Sequence, residues 1–267
     1  MKQTEPAGPY DQTFYDDHLA GSFRSARILL GRLFEVYRPE SVVDVGCGAG
    51  AWLAAAESLG STRLQGLDGD WVDESKLLSK QIAFEPADFS RPLEIAGSFD
   101  LCISVEVAEH LAAERAAGFV AALCNAAEVV LFSAAIKHQG GNSHVNEQWQ
   151  SYWIKLFNNC GYGCFDIFRG AVWNNREVEL WYRQNIFLFV KRTTDRIDLK
   201  LLKSLEQPIP DVVHPEYYED KVLVQTNLYR HIQQVEQQIR QPSLRFCLGN
   251  FKRYLFNHLK GVKSLFS

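Results

Sequence analysis

The stretch Val42-Val43-Asp44-Val45-Gly46-Cys47-Gly48-Ala49-Gly50 decides the fold of this chain. Three valines around one acid predict a buried strand, and the alternating glycines predict a tight turn after it. Glycine accepts positive φ and lets a ligand approach the backbone without meeting a Cβ. Ala51-Trp52-Leu53-Ala54-Ala55-Ala56-Glu57 then opens a helix, whose first N–H groups lack helical partners and suit a polar or anionic group. Strand, glycine turn and helix in this order hold a nucleotide-like cofactor. Asp44, two residues before Gly46, suits a cofactor that also carries positive charge.

Taken alone, Gly46-x-Gly48-x-x-Ala51 also satisfies the dinucleotide fingerprint, with Asp68 where a ribose-binding acid stands. The segments that follow separate the two cofactors. Leu64-Gln65-Gly66-Leu67-Asp68 is a second strand ending in an acid placed to accept both ribose hydroxyls, with Gly69 next. Ile82 to Phe89 is a third, and its Asp88 is an acceptor for an adenine amino group. Phe99 to Val105 is a fourth, with Asp100 at its entrance and Ser104 near its exit. In this ordered set, from about Ser41 to Arg192, the chain resembles the class I S-adenosylmethionine (AdoMet) methyltransferases. The resemblance implies a Rossmann-like α/β fold: a mostly parallel seven-stranded sheet, helices on both faces and an antiparallel last strand. It implies AdoMet as cofactor, held by Asp44, Gly46, Cys47, Gly48, Gly50, Asp68, Gly69, Asp88, Phe89, Ser104 and Glu106.

Working outward, His18 to Tyr37 predicts a leading helix stopped by Pro39, so residues 1–40 read as a helical cap. In the resembled family such a helix often covers the cofactor mouth. Strands and helices alternate through the catalytic domain, residues 41–192, as in a parallel sheet. Its last strands are expected at Glu128–Ser133, Cys164–Arg169 and Ile186–Lys191, with a helix over Gln148–Asn159. Pro208, Pro210 and Pro215 mark residues 193–220 as a linker or lid. Residues 221–267 read as a helical tail, basic and amphipathic from Leu244 onward. That tail holds eight Lys or Arg against one acid, a net of +7, so the first 220 residues carry −11 of the overall −4. An acidic body argues against a broad phosphate-binding surface. The basic tail suits an anionic membrane surface or a protein partner, and packing against the body is the alternative.

A 46 % hydrophobic content is enough for a sizeable core. No apolar run approaches the roughly eighteen residues that span a bilayer, and the N-terminus lacks an apolar signal region. The six cysteines lack zinc-ligand spacing. Together these place the protein in the cytoplasm, with peripheral attachment at the inner membrane face if the tail meets lipid.

The chemistry is expected after the fourth strand, in Glu106-Val107-Ala108-Glu109-His110-Leu111, where open α/β sheets bind ligands. A later histidine, His144, precedes an aromatic-rich helix in His144-Val145-Asn146-Glu147-Gln148-Trp149-Gln150-Ser151-Tyr152-Trp153. Glu-x-x-Glu-His followed by this histidine resembles the metal-dependent small-RNA 2′-O-methyltransferases and the ubiquinone-pathway O-methyltransferases. The resemblance implies that Glu106, Glu109, His110 and His144 hold one divalent cation, magnesium or manganese. A cation orients a hydroxyl and acidifies it; without one, His144 or His110 serves as general base. Helix capping by the two glutamates is the structural alternative.

The glycine-rich loop Ile136 to Ser143 is expected to hold the acceptor. Segment His144–Trp153 also resembles methyltransferases of bacterial surface-polysaccharide synthesis. These features imply O-methylation of a sugar hydroxyl on a glycan or glycosylated small molecule. An RNA ribose acceptor and a non-catalytic AdoMet-binding subunit are the alternatives; the acidic body disfavours nucleic acid.

Overall fold

Strand β1 (Ser41–Val45) forms where the valines can be buried on both sides at once. Val42 enters the core on one face of the sheet, and Val43 and Val45 enter the core on the other. The structure, a computed structural model, describes residues 12–205, 212–240, 244 and 248–254. Around β1 lie β2 (Arg63–Asp68), β3 (Ile82–Pro86), β4 (Leu101–Val105), β5 (Val129–Ser133), β6 (Tyr162–Phe165) and β7 (Phe187–Lys191). They form one seven-stranded sheet in the order β3-β2-β1-β4-β5-β7-β6. The first five run parallel, and β7 is antiparallel to both β5 and β6. This is a Rossmann-like sheet whose order reverses between β1 and β4, so the crevice for a ligand opens at their C-terminal ends.

Helices cover both faces. On one side α1 (Gln12–Phe34) and α2 (Ala51–Ser58) bring Leu29, Leu30, Leu33, Trp52 and Leu53 onto the sheet. On the other, α3 (Ala116–Ala126) and α4 (Gln150–Asn159) bring Phe119, Leu123, Trp153 and Phe157. The rings of Phe157 and Phe189 stack at 3.8 Å and 11°. Short helices α5 (Arg169–Val172), α6 (Leu180–Asn185) and α7 (Leu199–Ser204) finish the domain.

Three boundaries differ from those expected. The leading helix runs from Gln12 to Phe34, not from His18 to Tyr37, and its Ala26, Leu29, Leu30 and Leu33 are wholly buried against α2 and the sheet. Strand β6 begins at Tyr162, not Cys164, because the buried Tyr162 hydroxyl donates to the carbonyls of Cys124 and Ala127, both at 2.7 Å. The domain also continues past Arg192. Ile197 and Leu202 are buried in the core, and the Gln184 side chain bonds the backbone of both Val212 and His214. One compact unit therefore ends at His214 and a second begins at Pro215. Pro208 and Pro210 lie outside the described residues.

The second unit consists of α8 (Pro215–Arg240), with residues 244 and 248–254 also helical. The basic amphipathic helix expected from Leu244 falls largely outside the described residues. Among those described, no helix is long and apolar enough to cross a membrane.

Asp100 closes the sheet's N-terminal edge. One carboxylate oxygen accepts from the Glu40 and Ser41 amides and the Ser41 hydroxyl at 2.8–3.1 Å. The other accepts from Arg196 at 2.6 Å, tying in the segment before α7. Burial works against ionisation, but the donors from Ser41, Arg196 and Glu40 outweigh it and hold the carboxyl below its ordinary pKa of 3.8. Asp100→Ala is expected to cost about 1–3 kcal/mol in urea unfolding at neutral pH. The folded pKa lies below the unfolded one, so the ionic contribution is complete above the ordinary value and fades as pH falls through the folded one. Wild-type and variant stabilities should therefore converge in acid.

Candidate active site

The turn after β1 is built on glycine. Gly46, Gly48 and Gly50 have φ of 88°, 51° and 79°, and a Cβ on Gly46 would stand 2.2 Å from Val107 Cγ2. The exits of β1 and β4 can meet only because Gly46 has no side chain. Asp68, at the end of β2, accepts from the Gly48 amide with one oxygen and the Gly69 amide with the other, both at 2.7 Å. It holds the turn while keeping lone pairs for ribose hydroxyls. Asp44 is buried, and neither of its oxygens has a hydrogen-bond partner. Burial, then the charge of Asp68, raises its pKa well above the ordinary value. A cationic ligand at this turn relieves both effects.

The other expected cofactor contacts have partners within the protein. The Cys47 thiol is buried over Gly66 and donates to the Gly48 carbonyl at 3.6 Å, so its side chain is engaged within the protein. Ser104 is fully buried and donates to the Val45 carbonyl at 3.0 Å, joining β4 to β1. Asp88 is exposed but locally engaged, accepting from the Ser90 amide and hydroxyl at 3.0 and 2.6 Å and facing Arg91 at 3.1 Å. Phe89 packs edge-to-face on Phe119. A residue passed over in sequence is Trp71. Its indole lies over Gly69, where a Cβ would meet the ring at 2.1 Å, yet the side chain is 78 % exposed. It offers a flat face near Asp68 that no periodic pattern announces.

The second half of the site begins where β4 ends. Glu106 has φ of 56°, uncommon for a residue with a side chain, and a tight turn over Ala108–His110 follows. Backbone amides of Val145 and Asn146 both donate to the Glu109 carbonyl at 2.9 Å. This clasp lays the loop after β5 against that turn. The rings of His110 and His144 then meet edge-to-face, 4.8 Å between centroids. Ligand atoms of Glu109, His110 and His144 all lie within 4.8 Å of one another. Glu109 is wholly buried with both carboxylate oxygens outside hydrogen-bond geometry, although the amides of Glu109 and Ala135 face them. Burial, then the charge of Glu106, drives its pKa well up. Burial, then His144, lowers that of His110 and keeps its imidazole neutral. A carboxylate and two imidazoles, one of them kept neutral, with an orphaned buried oxygen pair, fit a divalent cation. This donor set suits manganese better than magnesium.

Of the expected quartet, Glu109, His110 and His144 converge this closely. The Glu106 carboxylate lies beside that of Glu109 and is also held by the Asn185 amide at 3.2 and 3.5 Å and by Gln139 at 3.4 Å. Glu147, also passed over, supports His144: its Oε1 lies 3.0 Å from His144 Nδ1 and accepts from the Gly140 amide at 2.6 Å. An Nδ1–H donated to Glu147 leaves the Nε2 lone pair for the trio. The signal was the His-x-x-Glu spacing. Trp153 is buried core, and Trp181 packs against core, as ordinary aromatic residues do.

Residues 43–129 match a family model described as a methyltransferase domain. Among solved structures, an O-methyltransferase family protein from Burkholderia thailandensis has a TM-score of 0.50 and 12 % identity, over 70 % of this chain and 61 % of that one. Magnesium protoporphyrin IX methyltransferase from Synechocystis, solved with SAH, gives 0.46 and 15 %, over 70 % and 90 %. Human N-acetylserotonin methyltransferase, solved with SAM, gives 0.48 and 16 %, over 67 % and 54 %. At these identities the likeness is one of fold. No curated protein matches the chain in sequence.

The His144 ring lies directly on Gly141, where a Cβ would stand 2.3 Å from Cε1 and Nε2. Gly141→Ala should therefore push the imidazole out of the trio while leaving the β1 turn untouched. The expected outcome is loss of methyl transfer with AdoMet affinity, read by calorimetry, unchanged.

Proposed function

We propose that this chain, a class I AdoMet-dependent methyltransferase, methylates a hydroxyl oxygen beside Glu109, His110 and His144. The hydroxyl belongs to a sugar of a glycan or glycosylated small molecule, and a divalent cation on the trio assists. The observation that carries this reading is the convergence of the trio around an orphaned buried carboxylate. It begins two residues beyond Val107, the residue that touches the glycine turn.

When bound, AdoMet supplies a methyl group on a sulfonium: the sulfur–carbon bond breaks, a carbon–oxygen bond forms, and the electron pair leaves on a neutral thioether. When bound, a divalent cation supplies the charge that orients the hydroxyl and eases loss of its proton to water. A cationic cofactor at the turn would favour the ionised form of the buried Asp44, and Asp68 fixes the turn. His110 is held neutral and able to donate a lone pair. Glu147 fixes the ring plane of His144. A sugar acceptor is favoured over RNA by the −11 charge of the first 220 residues, and by the resemblance of His144–Trp153 to polysaccharide-associated enzymes. One geometry supports a second reading without metal. The carboxylate behind His144 is also the arrangement that orients a general base.

The test is incubation with methyl-tritiated AdoMet and fractionated host extract, with and without a chelator. Label in glycan or lipid-linked sugar, lost on chelation and restored by manganese, is expected. Chelator-insensitive label would make His144 the base, and label in RNA would replace the acceptor. Glu109→Gln should abolish both manganese binding and transfer while AdoMet still binds. Glu147→Gln should weaken manganese binding, followed by electron paramagnetic resonance, by about 10- to 100-fold.

A further inference from the structure

Asn185 is the last residue of α6 and is 2 % exposed. Its side-chain amide reaches two other elements at once. Nδ2 donates to Glu106 at the exit of β4, 3.2 Å from Oε1 and 3.5 Å from Oε2. It also donates to Gln139 Oε1, in the loop after β5, at 3.0 Å. Gln139 completes a triangle: its Nε2 donates to Glu106 Oε2 at 3.4 Å, and its Oε1 also accepts from the Ile136 amide at 3.2 Å. Three side chains far apart in sequence hold one another.

The amide is oriented for these contacts at a cost elsewhere. Asn185 Oδ1 is buried with no hydrogen-bond partner among the described residues, and an orphaned buried oxygen is costly. Turned over, the amide would set that oxygen against the Glu106 carboxylate and Gln139 Oε1. An apolar side chain would fill the space without an orphan, so packing does not explain an asparagine here.

Both other corners of the triangle lead to the trio. Glu106 and Glu109 place two carboxyls side by side, so the position of one limits that of the other. Gln139 stands two residues before Gly141, the glycine on which the His144 ring rests. One corner thus bears on the carboxylate of the trio, and the other on the loop beneath an imidazole. Asn185 is the contact common to both.

We propose that Asn185 is a positioning residue for Glu109, His110 and His144. It sets Glu109 through Glu106, and the loop under His144 through Gln139. The proposal rests on the reading of the trio as a divalent-cation site.

Manganese binding to the 267-residue chain, followed by electron paramagnetic resonance, tests this, with AdoMet affinity read by calorimetry on the same samples. Asn185→Leu keeps a branched side chain and removes the amide. It is expected to weaken manganese binding about 10- to 100-fold and to leave AdoMet affinity unchanged. Gln139→Leu opens the same triangle from the loop side and should weaken manganese binding as well. The double variant should lose less than the product of the two single losses, because both act on Glu106. A wild type that binds no manganese would remove the cation reading, and this proposal with it. Where wild type binds manganese, three results overturn the proposal alone. They are a folded Asn185→Leu that binds manganese as wild type does, one that loses AdoMet affinity in parallel, and single losses that multiply independently. Should Asn185→Leu not fold, Gln139→Leu decides: manganese binding equal to wild type overturns the proposal.

Discussion

The contact between Val107 and the bare Cα of Gly46 is the constraint on which the site depends. Any side chain at Gly46 would overlap the valine, so the exits of β1 and β4 can approach only at this residue. That approach puts the glycine turn within a few residues of Glu109 and His110. Group transfer needs donor and acceptor groups held in near contact, and much of an enzyme's advantage comes from holding them there. Here the closeness is set in the backbone, before any catalytic side chain is considered. Positive φ at Glu106 belongs to the same junction. The chain must leave β4 abruptly so that Val107 turns toward Gly46 while Glu109 and His110 turn toward the loop after β5. Strain of this kind persists only where surrounding contacts over-determine it. The Glu106 amide is fixed by the Ser133 carbonyl and its carboxylate by Asn185.

Charge gives the site its second organising principle. Asp44 and Glu109 are buried carboxyls without bonded partners, an arrangement that costs several kcal/mol if either is ionised without compensation. Neither is placed to stabilise the fold by itself. Both stand at the C-terminal ends of adjacent strands, where β1 and β4 open the crevice. A cationic ligand beside either carboxyl would relieve that cost. Folding energy from the two-faced core sustains a site that is electrostatically incomplete on its own. Such incompleteness favours positively charged ligands over neutral ones.

The sheet was legible in the sequence because its strands are short runs of apolar residues ending in glycine or acid, in a repeating order. Buried on both faces, such strands signal themselves by composition alone. Convergence of Glu109, His110 and His144 was also legible, since a strand exit and the loop after the next parallel strand must meet. What the sequence hid were side-chain directions. Ser104 reads as a cofactor contact by position, but its hydroxyl points into the sheet and joins β4 to β1. Asp88 reads as an acceptor for an adenine amino group, and spacing does not show that the serine two residues later folds back onto it. Glu106 reads as a ligand one helical turn before Glu109. The chain there leaves the strand with positive φ, and its carboxylate is shared between Asn185 and the neighbouring Glu109 side chain. Glu147 was hidden because supporting residues act through an orientation that spacing alone does not reveal.

The end of the catalytic domain follows from hydrogen bonding, not from composition. Proline spacing suggests a linker up to residue 220, yet Gln184 bonds the backbone on both sides of residue 213, and His214 reaches the Trp173 carbonyl at 3.1 Å. A buried glutamine with two backbone partners is expensive to disturb, because opening it would strand polar groups away from water. Asn185, the next residue, holds Glu106. The segment that leaves the domain is thus fastened to the same short helix, α6, that holds Glu106. Cutting the chain before Val212 would remove partners from Gln184 and loosen the support of Glu106, even though no residue of the trio would be lost.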